Sequence, residues 1–361
     1  MNDQIKTPSL LPKGFEDLLP PEADAEFRGI GILMKTFARF GYERVKPPLV
    51  EFEDSMFAPG PGAACAQQTF RVMDPQSEKM LALRSDITSQ IARIATSRMA
   101  DAPKPLRIAY ANDAIRTRAS QQRTLRQFAQ VGCELVGGAE NEDIIEIAVI
   151  ALKGLSDVGL KNVTIDFSLP DIFDAVFDAA DASKDELDSL RAQLAGTAMR
   201  SIEKLEALGL GQEALGDVGN LKAVLAGVQK AVDALGIQNV SYTVDPLETK
   251  GFEYHSGVVF TLFSSDAHGE IGRGGRYAID CDETQCASAA AGFTLYMDTV
   301  RTAMPAFEGK ARILVPMDTA WDVLQKLQDE KYITVRGALD GDGALKGTCT
   351  HVYKDGKVEV L

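Results

Sequence analysis

Apolar residues recur along the chain in two rhythms, one helical and one strand-like, and their succession sketches the fold. Phe27, Ile30, Met34 and Phe37 fall at alternating three- and four-residue spacing, which predicts an amphipathic helix stopped at Gly41. "YERVKPPLVE" then predicts a strand, and Pro47 and Pro48 confine it to a sheet edge or a bulge because proline lacks a ladder donor. "APGPGAA" (58–64) is expected to be a flexible loop, and "TFRVMDPQSEKMLALR" a hairpin turning at Asp74–Ser77. "DITSQIARIATSRMA" returns to helix, with Asp86 or Thr88 near its N-cap. "PLRIAYANDAIRTR" and "RQFAQVGCELVG" flank the polar link "ASQQRTL", which predicts an antiparallel pair joined by a long loop.

Next come an amphipathic helix, "AENEDIIEIAVIALKGLSDVGL", and a strand, "NVTIDFSL". Residues 172–236 are helical in pattern, either an inserted subdomain or ordinary helices packed on the main sheet. The insertion is favoured because β signals stop before it and resume after it. "VSYTVDP", "GVVFTLFSS" and "GEIGRGGRYAI" restore the sheet, and "AGFTLYMDTVRTAM" is a strand running into a helix. The Gly-rich segment is not followed by a helix, so it fails the context of a dinucleotide or P-loop site. The order lacks regular βαβ alternation and predicts an α+β fold, an antiparallel sheet with helices packed against it. Residues 1–310 are expected to form the core, with 172–236 inserted in it, and 311–361 a small C-terminal α/β unit.

Charge narrows the function. The 361 residues carry 38 Lys plus Arg against 52 Asp plus Glu, a net charge of -14 that argues against a large nucleic-acid surface. The opening residues show no apolar leader pattern, and no apolar run approaches membrane-span length, so a cytoplasmic protein is expected. The five cysteines are scattered and read as reduced thiols. Cys281 and Cys286 are the one close pair, and no second pair or nearby His completes a zinc set, so neither metal nor cofactor is expected. Against this acidic background Arg116, Arg118, Arg123 and Arg126 crowd one stretch that holds a single acid, Glu134. Such a cluster is either a clamp for an anion or a solvated strand pair with salt-bridged edges.

The ordered set of segments resembles the class II aminoacyl-tRNA synthetase core, and within it histidyl-tRNA synthetase. "LPKGFEDLLP" resembles the N-terminal segment, the helix into "ERVKPPLVE" motif 1, the dimerisation element, and "LALRSDITSQ" the amino-acid-binding loop. "IRTR" with "QFAQVGCELVG" resembles motif 2, "KGFEYHSGVVFTLF" and "IGRGGRYAI" the two histidine-recognition segments, and "AGFTLYMD" motif 3. The matching amino-acid-pocket positions are Asp86, Thr88, Arg116, Gln130, Glu134, Tyr254, Arg276 and Tyr277, with His255 in place of a Tyr. The resemblance implies carboxylates for a ligand's ammonium, Gln and Tyr for ring nitrogens, and a cation for its carboxylate. Read singly, Glu134 is equally a salt-bridge partner within the sheet, and Tyr254 a core aromatic.

The departures fall at the nucleotide end. Arg116 keeps the first motif 2 position, but Arg118 stands where the family has the Glu that accepts from adenine's amino group, and guanidinium offers donors only. Asp298 remains as the metal-binding acid of motif 3, but Thr299 replaces the Arg that clamps the γ-phosphate. Lys250 replaces the catalytic Arg of the histidine segment and loses its bidentate fork. Each such loss typically costs about 2–4 kcal/mol of transition-state stabilisation. The C-terminal stretch is short and not basic, so no platform for transfer RNA is expected.

A synthetase-like core altered in this way resembles the regulatory subunits of ATP phosphoribosyltransferase. That likeness implies a chain with no catalytic residues of its own. It would dimerise and join the short-form catalytic subunit in a hetero-octamer, raising its activity in histidine biosynthesis and contributing to allosteric feedback by free histidine. The competing readings are an active histidyl-tRNA synthetase, a synthetase paralogue acting on another substrate, and a nucleic-acid-binding module that uses Arg116 to Arg126.

Overall fold

A computed structural model describes residues 11–58, 60–120, 123–138, 140–182, 186–279, 288–307, 309–338 and 346–361. The Cys281 and Cys286 pair lies outside the described residues. By its contacts the chain divides into two units, one ending at Pro305 and one beginning at Ala306.

The first unit is built on a nine-stranded sheet. Its order from one edge is Glu43–Arg44, Leu106–Ile115, Gln127–Val136, Ser288–Tyr296, Glu270–Ile279, His255–Ser264, Val163–Ser168, Val240–Val244 and Gly196–Thr197. The central pairs are antiparallel, while Glu43–Arg44 and Val240–Val244 join in parallel. Pro47 and Pro48 end the first of these strands, which is an edge strand, and the chain resumes extended at Val50–Phe52 in a separate three-stranded sheet with Phe70–Met73 and Met80–Leu83. Asp74 closes the hairpin between the last two strands by accepting from the backbone N–H of Gln76 at 3.1 Å.

Strand alternation sorts the two faces of the large sheet. On Gln127–Val136, the side chains of Val131, Cys133 and Leu135 enter the main core beneath helices Glu22–Arg39 and Glu140–Asp157. Gln130, Glu134 and Val136 take the opposite face, where helix Thr88–Ser97 packs Ile87, Ile91 and Ala95 on Ile108, Tyr110 and Tyr277. Buried carboxylates are uncommon in such a setting, and this face therefore holds the candidate site.

Three local expectations change. Phe27 is 79% exposed, while Ile30, Met34 and Phe37 pack against the core as expected and Gly29, Leu33 and Thr36 are buried with them. Gly29 sets that stripe, because a side chain there would collide with Met304 and Met297. Within "APGPGAA", Pro61–Cys65 forms a helical turn started by a proline whose missing N–H is no loss at a first helical position. In residues 172–236 the helices are interrupted by strand Gly196–Thr197, which extends the large sheet. Their apolar side chains, Leu221, Val224 and Val228 among them, belong to the same continuous core as the sheet.

The second unit is a four-stranded sheet in the order Ile333–Arg336, Arg312–Val315, His351–Lys354, Lys357–Val360. Helix Trp321–Asp329 links the first two strands, which run parallel, and covers Ile313 and Val315 with Leu324 and Leu327.

Candidate functional site

Glu134 lies at the centre of the polar face. It is 1% exposed and faces Gly292 on the neighbouring strand. Tyr277 donates its hydroxyl to Oε2 at 2.9 Å, and Thr88 and Tyr110 donate theirs to Oε1 at 3.3 Å each. Burial pushes the Glu134 carboxyl up to about 8, with the nearby Asp86 charge adding to the rise, although the Tyr277 hydrogen bond pulls against it.

Six of the sequence-derived positions line one cavity with Glu134 at its base: Asp86, Thr88, Glu134, Tyr254, His255 and Tyr277. Asp86 is held beside the helix start by the Thr88 backbone N–H at 2.9 Å and the Gln130 side-chain amide at 2.8 Å. Tyr254 stacks on His255 with ring centroids 4.2 Å apart. Burial, with the Arg273 charge, lowers the His255 imidazole to about 3, so it is neutral, and its buried Nδ1 has no hydrogen-bond partner among the described residues. The cavity is about 30 Å³, room for roughly one water. That is less room than an amino acid needs.

Three expected positions do not line it. Gln130 is fully buried behind it and spends its amide on Asp86 and on the Ile87 N–H. Arg116 donates to the Ser85 carbonyl at 3.3 Å and sits over the Phe128 ring. Arg276 is corrected outright by strand register. It stands opposite Ala291, on the helix-covered face, whereas Tyr277 stands opposite Ala290 on the site face. The guanidinium at the cavity belongs to Arg273, paired with Glu270. Thr294 and Tyr296 also line the cavity and were not singled out from sequence. Two-residue steps back from Tyr277, through Gly275 to Arg273, carry the signal for the right arginine.

Two further clustered arginines are engaged within the chain. Arg123 is buried, paired with Asp298 and 3.9 Å from Glu270, with its guanidinium 3.9 Å from the Tyr296 ring centroid. Arg126 lies over Phe15 and Phe70 and donates to the Arg116 carbonyl at 3.0 Å. An anion clamp of four arginines is therefore not what the chain builds, since Arg116, Arg123 and Arg126 are engaged within it. Arg118 and Lys250 are exposed, Thr299 is half-buried, and none of the three lines the cavity. Among the described residues no group of three His, Cys, Asp or Glu could hold a metal ion, and no helix is long and apolar enough to cross a membrane.

Gly292 leaves the Glu134 carboxylate its space, because a methyl group there would overlap it. Gly292→Ala is expected to expel the carboxylate and abolish ligand binding in the cavity, with a stability loss of about 1–3 kcal/mol from overpacking. Calorimetry and urea unfolding check the two parts.

The chain matches the family model for histidyl-tRNA synthetase over residues 14–224 and 207–300. In fold it is similar to the crystal structure of an ATP phosphoribosyltransferase regulatory subunit/histidyl-tRNA synthetase from Bacillus halodurans, with TM-score 0.77, 20% identity and coverage of 96% of this chain and 97% of that one. The histidyl-tRNA synthetase of Nostoc sp. gives TM-score 0.71 at 16% identity, covering 95% of this chain and 90% of that one. Both support the class II synthetase-like α+β fold. In sequence the chain is 40% identical to the ATP phosphoribosyltransferase regulatory subunit of Rhodospirillum centenum, covering 100% of this chain and 99% of that one. It is 36% identical to the subunit of that name from Gluconobacter oxydans, covering 99% of each. At 40% and 36% identity over essentially its whole length, and with a synthetase-like fold, the chain belongs to the ATP phosphoribosyltransferase regulatory subunit family.

Proposed function

We propose that this chain is a non-catalytic cytoplasmic subunit. It dimerises, assembles with the short-form ATP phosphoribosyltransferase catalytic subunit into a hetero-octamer, raises that partner's rate and transmits histidine feedback. The observation that carries this reading is the Arg123–Asp298 pair. The acid that would hold a metal and a nucleotide's phosphates is neutralised from within, while the Asp86, Glu134 and Tyr277 end keeps groups suited to an amino acid. Free histidine would place its ammonium against Glu134 and Asp86.

The cavity supplies the regulatory logic. A ligand that binds one form of the subunit better stabilises that form, and a partner that prefers one form feels the shift. Val50, Phe52 and Val72 are exposed, and register sets Phe52, Leu81 and Val72 side by side on one face of the three-stranded sheet. That apolar face begins where the motif 1 segment ends and supports self-association.

The purified chain is expected to show no histidine-dependent ATP–pyrophosphate exchange and no salt-sensitive binding of transfer RNA. Clear exchange would return the chain to the active synthetases.

A further inference from the structure

Arg276, displaced from the candidate site by register, belongs to a second and larger opening. On the helix-covered side of the sheet a cleft of about 310 Å³ brings Arg276 together with Asp171, Asp217, Asn141 and Asn220. Five segments build it: strand Glu270–Ile279, the start of His255–Ser264, the turn Pro170–Ile172, and helices Glu140–Asp157 and Gln212–Ala234. None of its lining residues belongs to the cavity around Glu134. Its volume is in the range of small-molecule sites.

The charges in this cleft are left open. Asp171 accepts the Gly257 backbone N–H at 2.6 Å through one oxygen, and no other hydrogen bond or ion pair of its side chain is seen among the described residues. Asp217 and Arg276 make no ion pair or hydrogen bond among the described residues, although both face the cleft. Burial, together with the Asp171 and Glu213 charges, raises the Asp217 carboxyl above its ordinary value, a repulsion that a cation between the acids would relieve. Asn141 donates to Asn220 at 3.2 Å and ties the two helices that frame the cleft. Two carboxylates against one guanidinium leave a single net negative charge, which repels phosphates and selects a ligand with one anionic and two cationic groups.

We infer that this cleft binds a small dibasic amino acid, its carboxylate on Arg276 and its two ammonium groups on Asp217 and Asp171. Such a ligand would bridge the helix Gln212–Ala234 to the sheet. This inference stands apart from the regulatory reading and from the cavity around Glu134.

The test is calorimetry of the full chain with L-lysine as the probe. Saturable binding is expected at millimolar concentration. Arg276→Gln and Asp217→Asn should each weaken it by about tenfold or more, the loss of one charge-assisted hydrogen bond. Neither side chain has a partner to lose, so both variants are expected to melt like the parent. Cadaverine, which lacks the carboxylate, should bind more weakly and be indifferent to Arg276→Gln. Glu134→Gln should leave lysine binding unchanged. The inference is overturned by no saturable heat with L-lysine, by equal affinity in the Arg276 and Asp217 variants, by cadaverine binding as tightly as lysine, or by loss of binding in Glu134→Gln.

Discussion

Replacing Arg123 with Met is expected to lower stability by about 3–5 kcal/mol, the cost of removing one partner from a buried ion pair. The Arg123 and Asp298 side chains are 5% and 11% exposed, so water cannot take over from the lost guanidinium. Met would still cover the rings of Phe128 and Tyr296, which isolates charge from packing. Glu270 keeps Arg273 as a partner, so Asp298 is the group left uncompensated. The double variant Arg123→Met with Asp298→Asn should recover much of the loss, and the double-mutant cycle in urea unfolding measures the coupling. A single-variant loss below about 1 kcal/mol would assign the pair the weight of a surface bridge.

Glu134 should make both stability and ligand binding depend on pH. Its folded carboxyl titrates at about 8 and its free counterpart near 4.5, so the folded state binds the extra proton between those values. The stability it contributes is therefore complete below about pH 4.5 and lost as pH rises through about 8. Glu134→Gln keeps a neutral side chain throughout and should flatten this slope in urea unfolding. A ligand ammonium, by contrast, favours the ionised carboxylate. Histidine binding at pH 7 should therefore release a proton, and affinity should rise by up to about tenfold per pH unit below pH 8. Calorimetry in phosphate and in Tris separates the proton heat from the binding heat. Identical heats in the two buffers would mean that Glu134 does not meet the ammonium. His255, neutral across this range, should not contribute.

Much of this architecture was legible in the chain, because local rhythm and turn chemistry act over short distances. The Asp74 hairpin, the helix Thr88–Ser97, the long pair Leu106–Ile115 with Gln127–Val136, and the run from strand Ser288–Tyr296 into helix Met297–Ala303 all follow from spacing that one element contains. What failed needed a second element. Arg276 and Arg273 lie on the same short segment, and only pairing with Ser288–Tyr296 decides which of them shares a face with Tyr277. Arg123 has no acid nearby in sequence, and its partners Asp298 and Glu270 arrive from distant strands and helices. Phe27 sits in a helical apolar stripe whose other members, Ile30, Met34 and Phe37, meet the core, but it is left exposed, while Gly29 is buried where it admits Met304 and Met297. The size of the cavity was also beyond sequence reading, since it depends on how Tyr254, His255 and Tyr277 stack.

These corrections leave Glu134 held by three hydroxyls beside aromatic rings and Arg123 paired with Asp298. Under the proposed function the first group serves an amino-acid ligand and the second stands where nucleotide chemistry would be.

The most direct measurement adds the purified chain to the short-form ATP phosphoribosyltransferase catalytic subunit and follows conversion of ATP and phosphoribosyl pyrophosphate, with and without histidine. The account predicts a rate that rises to saturation with this chain and falls again with histidine. A catalytic rate that stays the same at every ratio of the two proteins would contradict it.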